Sequence, residues 1–198
     1  PKELCVCETI AKESQQIIKG LSSILKDVIS GKFKFDPGAE DIHSNIQELL
    51  AKKIGEAAEK LHTARSRNDQ IALDIRMYLK SEIDDLMEYT RQLQKAILKF
   101  ATSNFKVIIP GYTHLQIAQC VLLAHHLLAY IEGLERDKQR LLDAKKRIDV
   151  MPLGSCAFSG TGLDIDRDFV KKDLGFASLT ANSIDSVSDR DFIIEVLA

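Results

Sequence analysis

The fold is decided by a stretch that lacks any helix breaker, SRNDQIALDIRMYLKSEIDDLMEYTRQLQKAILKFATSNF, residues 66–105. It contains neither glycine nor proline, so nothing in it interrupts a helix. Its apolar side chains recur at three-, four- and seven-residue spacing, which predicts one buried stripe: Ile75, Leu79, Ile83, Leu86, Leu93, Ile97 and Phe100. At about 1.5 Å per residue such a helix is roughly 60 Å long. A domain of this size cannot shield that length by itself, so we expect further helices to cover the stripe.

A second long helix is predicted to follow. Pro110-Gly111 breaks the chain, and we expect the helix to run from about residue 115 to residue 149. Its apolar stripe is Ile117, Val121, Ala124, Leu128, Ile131, Leu134, Leu141 and Ile148. Two long helices joined by a short connection form an antiparallel hairpin.

The other segments also favour helices, so the predicted fold class is all-α. Only Phe33-Lys34-Phe35 has the period of a strand. Residues 151–165 are rich in glycine and serine and predict a loop. The remaining predicted helices are 8–30, 41–54, a turn at 56–61, 166–174 and 183–198. The last one stops in mid-pattern, from which we expect a truncated C-terminus.

Composition excludes several classes of protein. A net charge of −2 over 198 residues gives no electrostatic case for nucleic acid or an anionic membrane. No apolar run reaches the ~18 residues that span a bilayer, and the chain starts at Pro1 without a secretory signal. Cys5-x-Cys7 has no second close pair to complete a tetrahedral metal site. We expect reduced, mostly structural thiols in a cytoplasmic protein.

Polar residues are concentrated at the start of the first long helix, in the run from His62 to Gln70. Ser66-x-x-Asp69 fits a capping box, with Ser66 as N-cap. That leaves Arg65, Arg67 and Asn68, which either bind carboxylates at the positive end of the helix or are solvated surface groups.

A histidine lies at the predicted start of the second long helix. Thr113-x-x-Gln116 also fits a capping box, and His114 is either an acid/base group or a satisfied structural histidine. His43 could equally cap its helix or bind a ligand. His125-His126 point in different directions from one helix and cannot share a metal, so packing is expected.

Two further motifs have plain interpretations. The glycine-rich segment 154–162 lacks the Lys-Ser/Thr of a phosphate-binding loop and follows no strand, which excludes nucleotide binding. The charged clusters 164–168 and 188–191 are interpreted as surface ion pairs of little energetic weight.

At residues 62–70 and 111–116 the chain resembles the argininosuccinate lyase family, within the fumarase/aspartase superfamily, and also the related delta-crystallins. The first segment matches the family's His-Thr-Gly/Ala-Arg-Ser-Arg-Asn-Asp-Gln motif, and the second, with 118–119, its Gly-Tyr-Thr-His-Leu-Gln-x-Ala-Gln motif. Further matches lie at 40–43, 151–154, 165–167 and 182–192, so the resemblance covers the whole chain. Cys120 and Cys156 depart from the family pattern, at positions that do not touch the chemistry directly.

The resemblance implies a reversible β-elimination that splits argininosuccinate into arginine and fumarate. It places Thr113 and His114 at the reacting succinyl group, with His114 in acid/base support. Ser66, Arg67 and Asn68 are the implied substrate-binding residues, and His43 and Arg190 are weaker candidates. Neither a metal nor an organic cofactor is implied.

The resemblance also implies an assembly and a larger parent protein. Family members are homotetramers whose long helices form a shared central bundle, and each active site takes segments from three subunits. Residues 1–65 correspond to part of an N-terminal helical domain, and residues 66–198 to part of the central bundle. The family's catalytic serine lies on a downstream loop, so we expect this chain alone to be inactive.

Two alternative functions stay open at this stage. A delta-crystallin-like structural protein is disfavoured by the intact site residues but is not excluded by them. A related lyase acting on adenylosuccinate is disfavoured by the run Arg65-Ser66-Arg67-Asn68.

Overall fold

The structure is a computed structural model that describes residues 2–198, with side chains from residue 11 onward. The side chains of Cys5 and Cys7 lie outside the described residues, so the expectation about them stays a prediction. The chain divides into two compact units, residues 1–63 and residues 64–198. It is predominantly helical, which confirms the all-α fold class.

The first unit contains two α-helices and a 3₁₀ helix, as the sequence predicts. They are α1, Lys2–Ile29, α2, Ile42–Ile54, and the 3₁₀ helix Gly55–His62. Asp41 caps α2 by accepting a hydrogen bond from the Ser44 amide at 2.6 Å. The core of this unit is formed by Ile24, Leu50 and Ala58.

Gly20 allows α1 and α2 to approach each other closely. A Cβ atom on Gly20 would lie 2.5 Å from Cδ1 of Leu50, so any side chain there would force the buried Leu50 to shift. Phe33-Lys34-Phe35 has the period of a strand but lies in an irregular connection. Phe33 packs against the core of the unit, whereas Phe35 is exposed. The alternating pattern therefore reflects one packed residue in an irregular connection.

The second unit is built on the predicted antiparallel helical hairpin. Helix α3, Arg67–Ser103, runs beside α4, Leu123–Ile148. Residue numbers rise along α3 while their partners fall along α4, as an antiparallel pair requires: Lys80 with Asp149, Asp84 with Lys145, and Gln94 with Glu135.

The connection between the two long helices is a β-hairpin, which the sequence analysis did not predict. Strand β1, Ile108–Thr113, pairs antiparallel with β2, Gln116–Leu122, and α4 starts only at Leu123. The predicted helix start near residue 115 is therefore wrong. Thr113 faces Gln116 across the ladder and does not cap a helix.

A hairpin forms here because the local composition favours strands and because the two backbones approach each other closely. Isoleucine on β1 and isoleucine and valine on β2 favour extended backbone. Gly111 meets the opposite strand so closely that a Cβ atom there would lie 2.5 Å from the Gln119 carbonyl oxygen. His114 and Leu115 form the turn, both with positive φ, at 49° and 61°. This is the backbone that two-residue hairpin turns require, although its usual residues are asparagine and glycine.

The chain after α4 folds into short elements. Strand β3, Val150–Met151, pairs parallel with β4, Ser178–Leu179. Helix α5, Arg167–Asp173, matches the prediction. The predicted final helix is instead two helices, α6, Ser183–Ser188, and α7, Asp191–Leu197.

The break between α6 and α7 has a clear cause. Asp189 is extended, at φ −57° and ψ 127°, and its side chain pairs with Arg76 of α3. Its other carboxylate oxygen accepts a hydrogen bond from the Asp191 amide, which starts the next helix. An ion pair with α3 thus fixes the position where the helical pattern stops.

The core of the second unit covers only one part of the long hairpin. It consists of two clusters, Leu73 with Met151 and Phe176, and Ile83 with Ile148 and Phe192. Farther along α3 the predicted stripe is open in the single chain, since Leu86, Leu93 and Phe100 are 44%, 50% and 56% exposed. Among the described residues, no helix is long and apolar enough to cross a membrane.

Candidate functional site

The polar run at the start of α3 forms a capped helix entry, as predicted. Ser66 Oγ accepts a hydrogen bond from the Asn68 amide at 3.3 Å, and the Ser66 amide donates to Asp69 Oδ1 at 2.9 Å. The Ser66 side chain also accepts from the Asp69 backbone amide, and this bond and the bond from the Ser66 amide to Asp69 form the capping box. The arrangement fixes the backbone of the first turn of α3, which carries Ser66, Arg67 and Asn68.

Asp69 has a second role that the sequence analysis missed. Its side chain is fully buried. The other carboxylate oxygen, Oδ2, accepts hydrogen bonds from the backbone amides of Gly154 at 3.1 Å and Cys156 at 2.8 Å. The glycine-rich segment therefore lies directly against the entry of α3. We call residues 154–157 the 154–157 loop.

Two more contacts join this loop to the helix entry. The Asn68 side-chain amide donates to the Ala157 carbonyl at 2.9 Å. The Cys156 thiol donates to the Ala64 carbonyl at 3.2 Å. Burial raises the pKa of the Cys156 thiol, the negative charge of Asp69 raises it further, and Arg167 opposes both. This thiol is a packed structural group, as the sequence analysis expected.

The far side of the loop is held by a chain of hydroxyl groups. Arg167 donates to Thr180 Oγ1 at 3.2 Å, Thr180 and Ser186 hydroxyls lie 2.8 Å apart, and Ser155 Oγ donates to Ser186 Oγ at 2.9 Å. Ser155 and Ser186 are both buried. This network corrects the interpretation of 164–168 for Arg167, which points inward and donates to the Leu153 carbonyl. Asp164, Asp166 and Asp168 are exposed, and Asp168 pairs with Lys171.

Positive charge is concentrated around the helix entry. Arg67 donates to Gln70 Oε1 at 3.2 Å and is partly buried. Burial lowers the pKa of the Arg65 guanidinium, and the neighbouring charge of Arg67 lowers it further. Two guanidinium groups beside the first amides of a helix form a surface that can bind a carboxylate.

Arg190 follows the break between α6 and α7. Its Nη1 donates to the carbonyl oxygens of Val187 at 3.2 Å and Asp189 at 2.7 Å. The cluster 188–191 is therefore not a set of surface pairs. Asp189 pairs with the buried Arg76, and the Arg190 guanidinium is held by backbone carbonyls next to that pair.

The structure does not bring Thr113 and His114 to the helix entry. Both lie at the tip of the β-hairpin, Thr113 at the end of β1 and His114 in the turn. The 37 residues of α3 separate that tip from Ser66. At about 1.5 Å per residue this is on the order of 55 Å. The two segments that carry the sequence resemblance are thus at opposite ends of the helical hairpin.

His43 lies in the first turn of α2, within the first unit. Asp41 is the N-cap of that helix, so His43 does not cap it. Across the side chains that the structure describes, no group of three His, Cys, Asp or Glu residues is arranged to hold a metal ion.

Comparison with known proteins gives the class to which this arrangement belongs. A family model described as lyase matches residues 2–198, and the chain belongs to that lyase family.

Among curated proteins, the chain is similar to enzymes named argininosuccinate lyase. It is 56% identical to that of Moorella thermoacetica over 94% of this chain and 40% of the relative. It is 53% identical to that of Pelotomaculum thermopropionicum over 94% of this chain and 41% of the relative. The protein from Acetivibrio thermocellus is 49% identical over 100% of this chain and 43% of its own length. The chain thus spans about 40% of the length of these relatives.

Among solved structures, the chain is similar to EDDS lyase in complex with formate. The TM-score is 0.82 at 30% identity, over 93% of this chain and 36% of that one. An EDDS lyase variant with bound fumarate gives a TM-score of 0.81 at 30% identity. The similarity in fold to this lyase therefore covers 93% of the chain.

Proposed function

We propose that the protein carrying this chain is an argininosuccinate lyase that splits argininosuccinate into arginine and fumarate. The observation that carries the proposal is the match of residues 62–70 to the family motif, at a capped and positively charged helix entry. Identities of 49–56% to argininosuccinate lyases support it. Because the chain spans about 40% of those relatives, the proposal concerns a protein of their length.

The chemistry requires charge to be stabilised at a carboxylate. A base removes a proton from the carbon next to that carboxylate, and negative charge accumulates on its oxygens before the C–N bond breaks. Preorganised donors lower the energy of that intermediate. Ser66, Arg67 and Asn68, fixed by the capping box, are proposed to bind the substrate's carboxylate and amino-acid groups. The departing guanidino nitrogen takes a proton from an acid, and His114 is proposed to support that transfer.

We further propose that each complete site is shared between copies of the chain. Thr113 and His114 lie on the order of 55 Å from Ser66 along α3. One chain therefore cannot bring His114 and Ser66 to the same substrate molecule. The exposed apolar residues of α3 and α4 supply a surface on which a second copy can pack. A homotetramer with a shared helical bundle is the proposed assembly, with His43 and Arg190 as further substrate-binding candidates.

The same proposal covers the setting of the reaction. The carbanion is stabilised by protein groups, so neither a metal nor an organic cofactor is required. The protein is proposed to act in the cytoplasm, in arginine biosynthesis, on a small-molecule substrate.

The test is fumarate release, followed by ultraviolet absorbance, from argininosuccinate and separately from adenylosuccinate. It is made on the protein of the relatives' length and on the 198-residue chain alone. We expect release from argininosuccinate by the long protein only. Release from adenylosuccinate alone would overturn the substrate assignment, and no release by the long protein from either would favour a structural protein.

A variant tests the assignment of the histidine. His114→Asn in the long protein is expected to lower kcat by more than about tenfold, within the range that positioned acid/base groups contribute. His125→Asn, on α4 beyond the hairpin, is the matched control and is expected to keep activity. An unchanged rate in His114→Asn would remove His114 from the mechanism.

A further inference from the structure

One carboxylate joins the helix entry to the 154–157 loop. Asp69 is fully buried, and it accepts backbone hydrogen bonds from Ser66, Gly154 and Cys156 at 2.9, 3.1 and 2.8 Å. The capping box needs only the first of these bonds. The other two are made to residues 85 and 87 positions away in the chain. A capping role therefore does not account for the second oxygen.

We propose that Asp69 is a positioning residue that holds the 154–157 loop against the substrate-binding run, and that the loop in turn orients Asn68. This inference rests on the proposed function for its effect on catalysis. The hydrogen bond from the Asn68 amide to Ala157 is the link between the loop and the binding residue.

The geometry explains why an aspartate is needed here. Three N–H groups converge on two oxygens, and all of them are donors. An asparagine of the same shape offers one oxygen and one NH₂ group. Its NH₂ group cannot accept a hydrogen bond, so the backbone N–H groups on that side would lose their acceptor. Either the capping bond or both loop bonds would then be lost. A buried N–H without a partner is costly, so the loop would move away from the helix entry.

The exposed end of the 154–157 loop is the part that contacts the substrate-binding run. Gly154 and Ser155 are buried, whereas Ala157 is exposed and its carbonyl accepts the hydrogen bond of the exposed Asn68. Asn68 has no buried surroundings to fix its rotamer. Its hydrogen bond to Ala157 supplies that constraint, so the position of the loop sets the direction of the Asn68 amide.

The first experiment is a double-mutant cycle in the protein of the relatives' length, with Asp69→Asn, Asn68→Ala and both changes. Each single variant is expected to lower kcat/KM by about tenfold or more, as the loss or misplacement of a binding hydrogen bond does. If Asp69 acts through Asn68, the double variant stays within about twofold of Asn68→Ala. Fully additive losses would overturn the link. Asp85→Asn, an exposed aspartate on the same helix, is the matched control and is expected to keep activity.

The second experiment does not depend on lyase activity. Phe158 is exposed directly after the 154–157 loop, and Phe105 is exposed in the connection before β1, so chymotrypsin cleavage after each can be compared within one molecule. On the 198-residue chain, Asp69→Asn is expected to accelerate cleavage after Phe158 severalfold relative to Phe105, because the loop opens more often. An unchanged ratio would overturn the proposal.

The two outcomes separate the inference from the proposed function. If the wild-type protein has no lyase activity, the proposed function is overturned. The cleavage ratio still shows whether Asp69 holds the loop. If Asp69→Asn does not fold by circular dichroism, hydrogen exchange in the wild-type chain carries the test. The amides of Gly154 and Cys156, which donate to Asp69, should exchange at least about tenfold more slowly than the amide of the exposed Gly162, and equal rates would overturn the proposal.

Discussion

Arg76 and Asp189 form an enclosed ion pair, with Nη2 and Oδ2 2.6 Å apart and side chains that are 3% and 23% exposed. The same guanidinium donates to the carbonyls of Arg147 and Ile148 at the end of α4, and it lies 4.1 Å over the ring of Phe192. Burial lowers the pKa of Arg76, and the charge of Asp189 partly opposes that shift. One buried cation thus joins α3, α4 and the break between α6 and α7.

Removing the carboxylate of this pair should be strongly destabilising. Asp189→Ala leaves Arg76 buried without its counter-charge, which costs roughly 3 kcal/mol of unfolding free energy. The measurement is urea unfolding followed by circular dichroism. Asp137→Ala, which breaks the exposed pair with Arg140, is the control and should cost under about 1 kcal/mol. Equal losses in the two variants would show that the enclosure of Arg76 is immaterial.

The cap at the start of α3 can be tested independently of catalysis. Ser66→Ala removes the oxygen that accepts the Asn68 amide and should lower the unfolding free energy by about 1 kcal/mol. Ser81→Ala, at an exposed position inside the same helix, should change it by less than about 0.5 kcal/mol. Indistinguishable melting temperatures would contradict the cap.

The hairpin turn carries backbone strain at Leu115, whose φ is 61° and whose side chain is 95% exposed. Asparagine tolerates this left-handed conformation better than leucine does, so Leu115→Asn should raise the unfolding free energy by about 1 kcal/mol. The same change at Ile117, on strand β2 and also exposed, should lower it, because asparagine disfavours strands. The measurement is thermal unfolding of the two variants. A lower stability of Leu115→Asn than of the wild type would show that Leu115 is not strained.

The two described cysteines should differ in reactivity. The thiolate is the reactive form, and a raised pKa leaves less of it at any given pH. Cys156, whose pKa is raised by burial and by Asp69, should therefore react with iodoacetamide more slowly than the exposed Cys120 at pH 8. Peptide mass spectrometry follows the two rates separately. Faster alkylation at Cys156 would show that the 154–157 loop is not packed as described.

The open stripe on the long helices should mediate association. Leu93 is half-exposed and lies beside Ile97 and Tyr130 in an apolar groove between α3 and α4. Leu93→Lys should shift the protein of the relatives' length towards smaller species in sedimentation velocity, because a charge would be buried on assembly. Gln92→Lys, at the adjacent exposed position, should leave the assembly unchanged. If Leu93→Lys sediments like the wild type, this stripe is not the interface.

The helices were predictable because their signals are local. Residues 66–103 contain no glycine or proline that would interrupt a helix. The Ser66–Asp69 cap is formed within four consecutive residues. The β-hairpin escaped prediction because Thr113-x-x-Gln116 satisfies a helix cap and a hairpin end equally well. Isoleucine and valine at 107–109 and 117–121 were the signal that favoured strands.

The candidate site was predictable only in part. The residues at the entry of α3 are adjacent in sequence, so their grouping follows from the helix itself. The second role of Asp69 depends on amides more than 80 positions away, and the separation of His114 from Ser66 depends on the direction of α3. Both are properties of the folded chain that no local pattern contains.

The distant bonds of Asp69 also constrain the order of folding. The helices need only local contacts, whereas the Gly154 amide must find a partner 85 residues earlier in the chain. Closing a loop of that length costs entropy that local helix formation does not. Helix α3 and its cap can therefore form early, and we expect the 154–157 loop to join that cap in a later step.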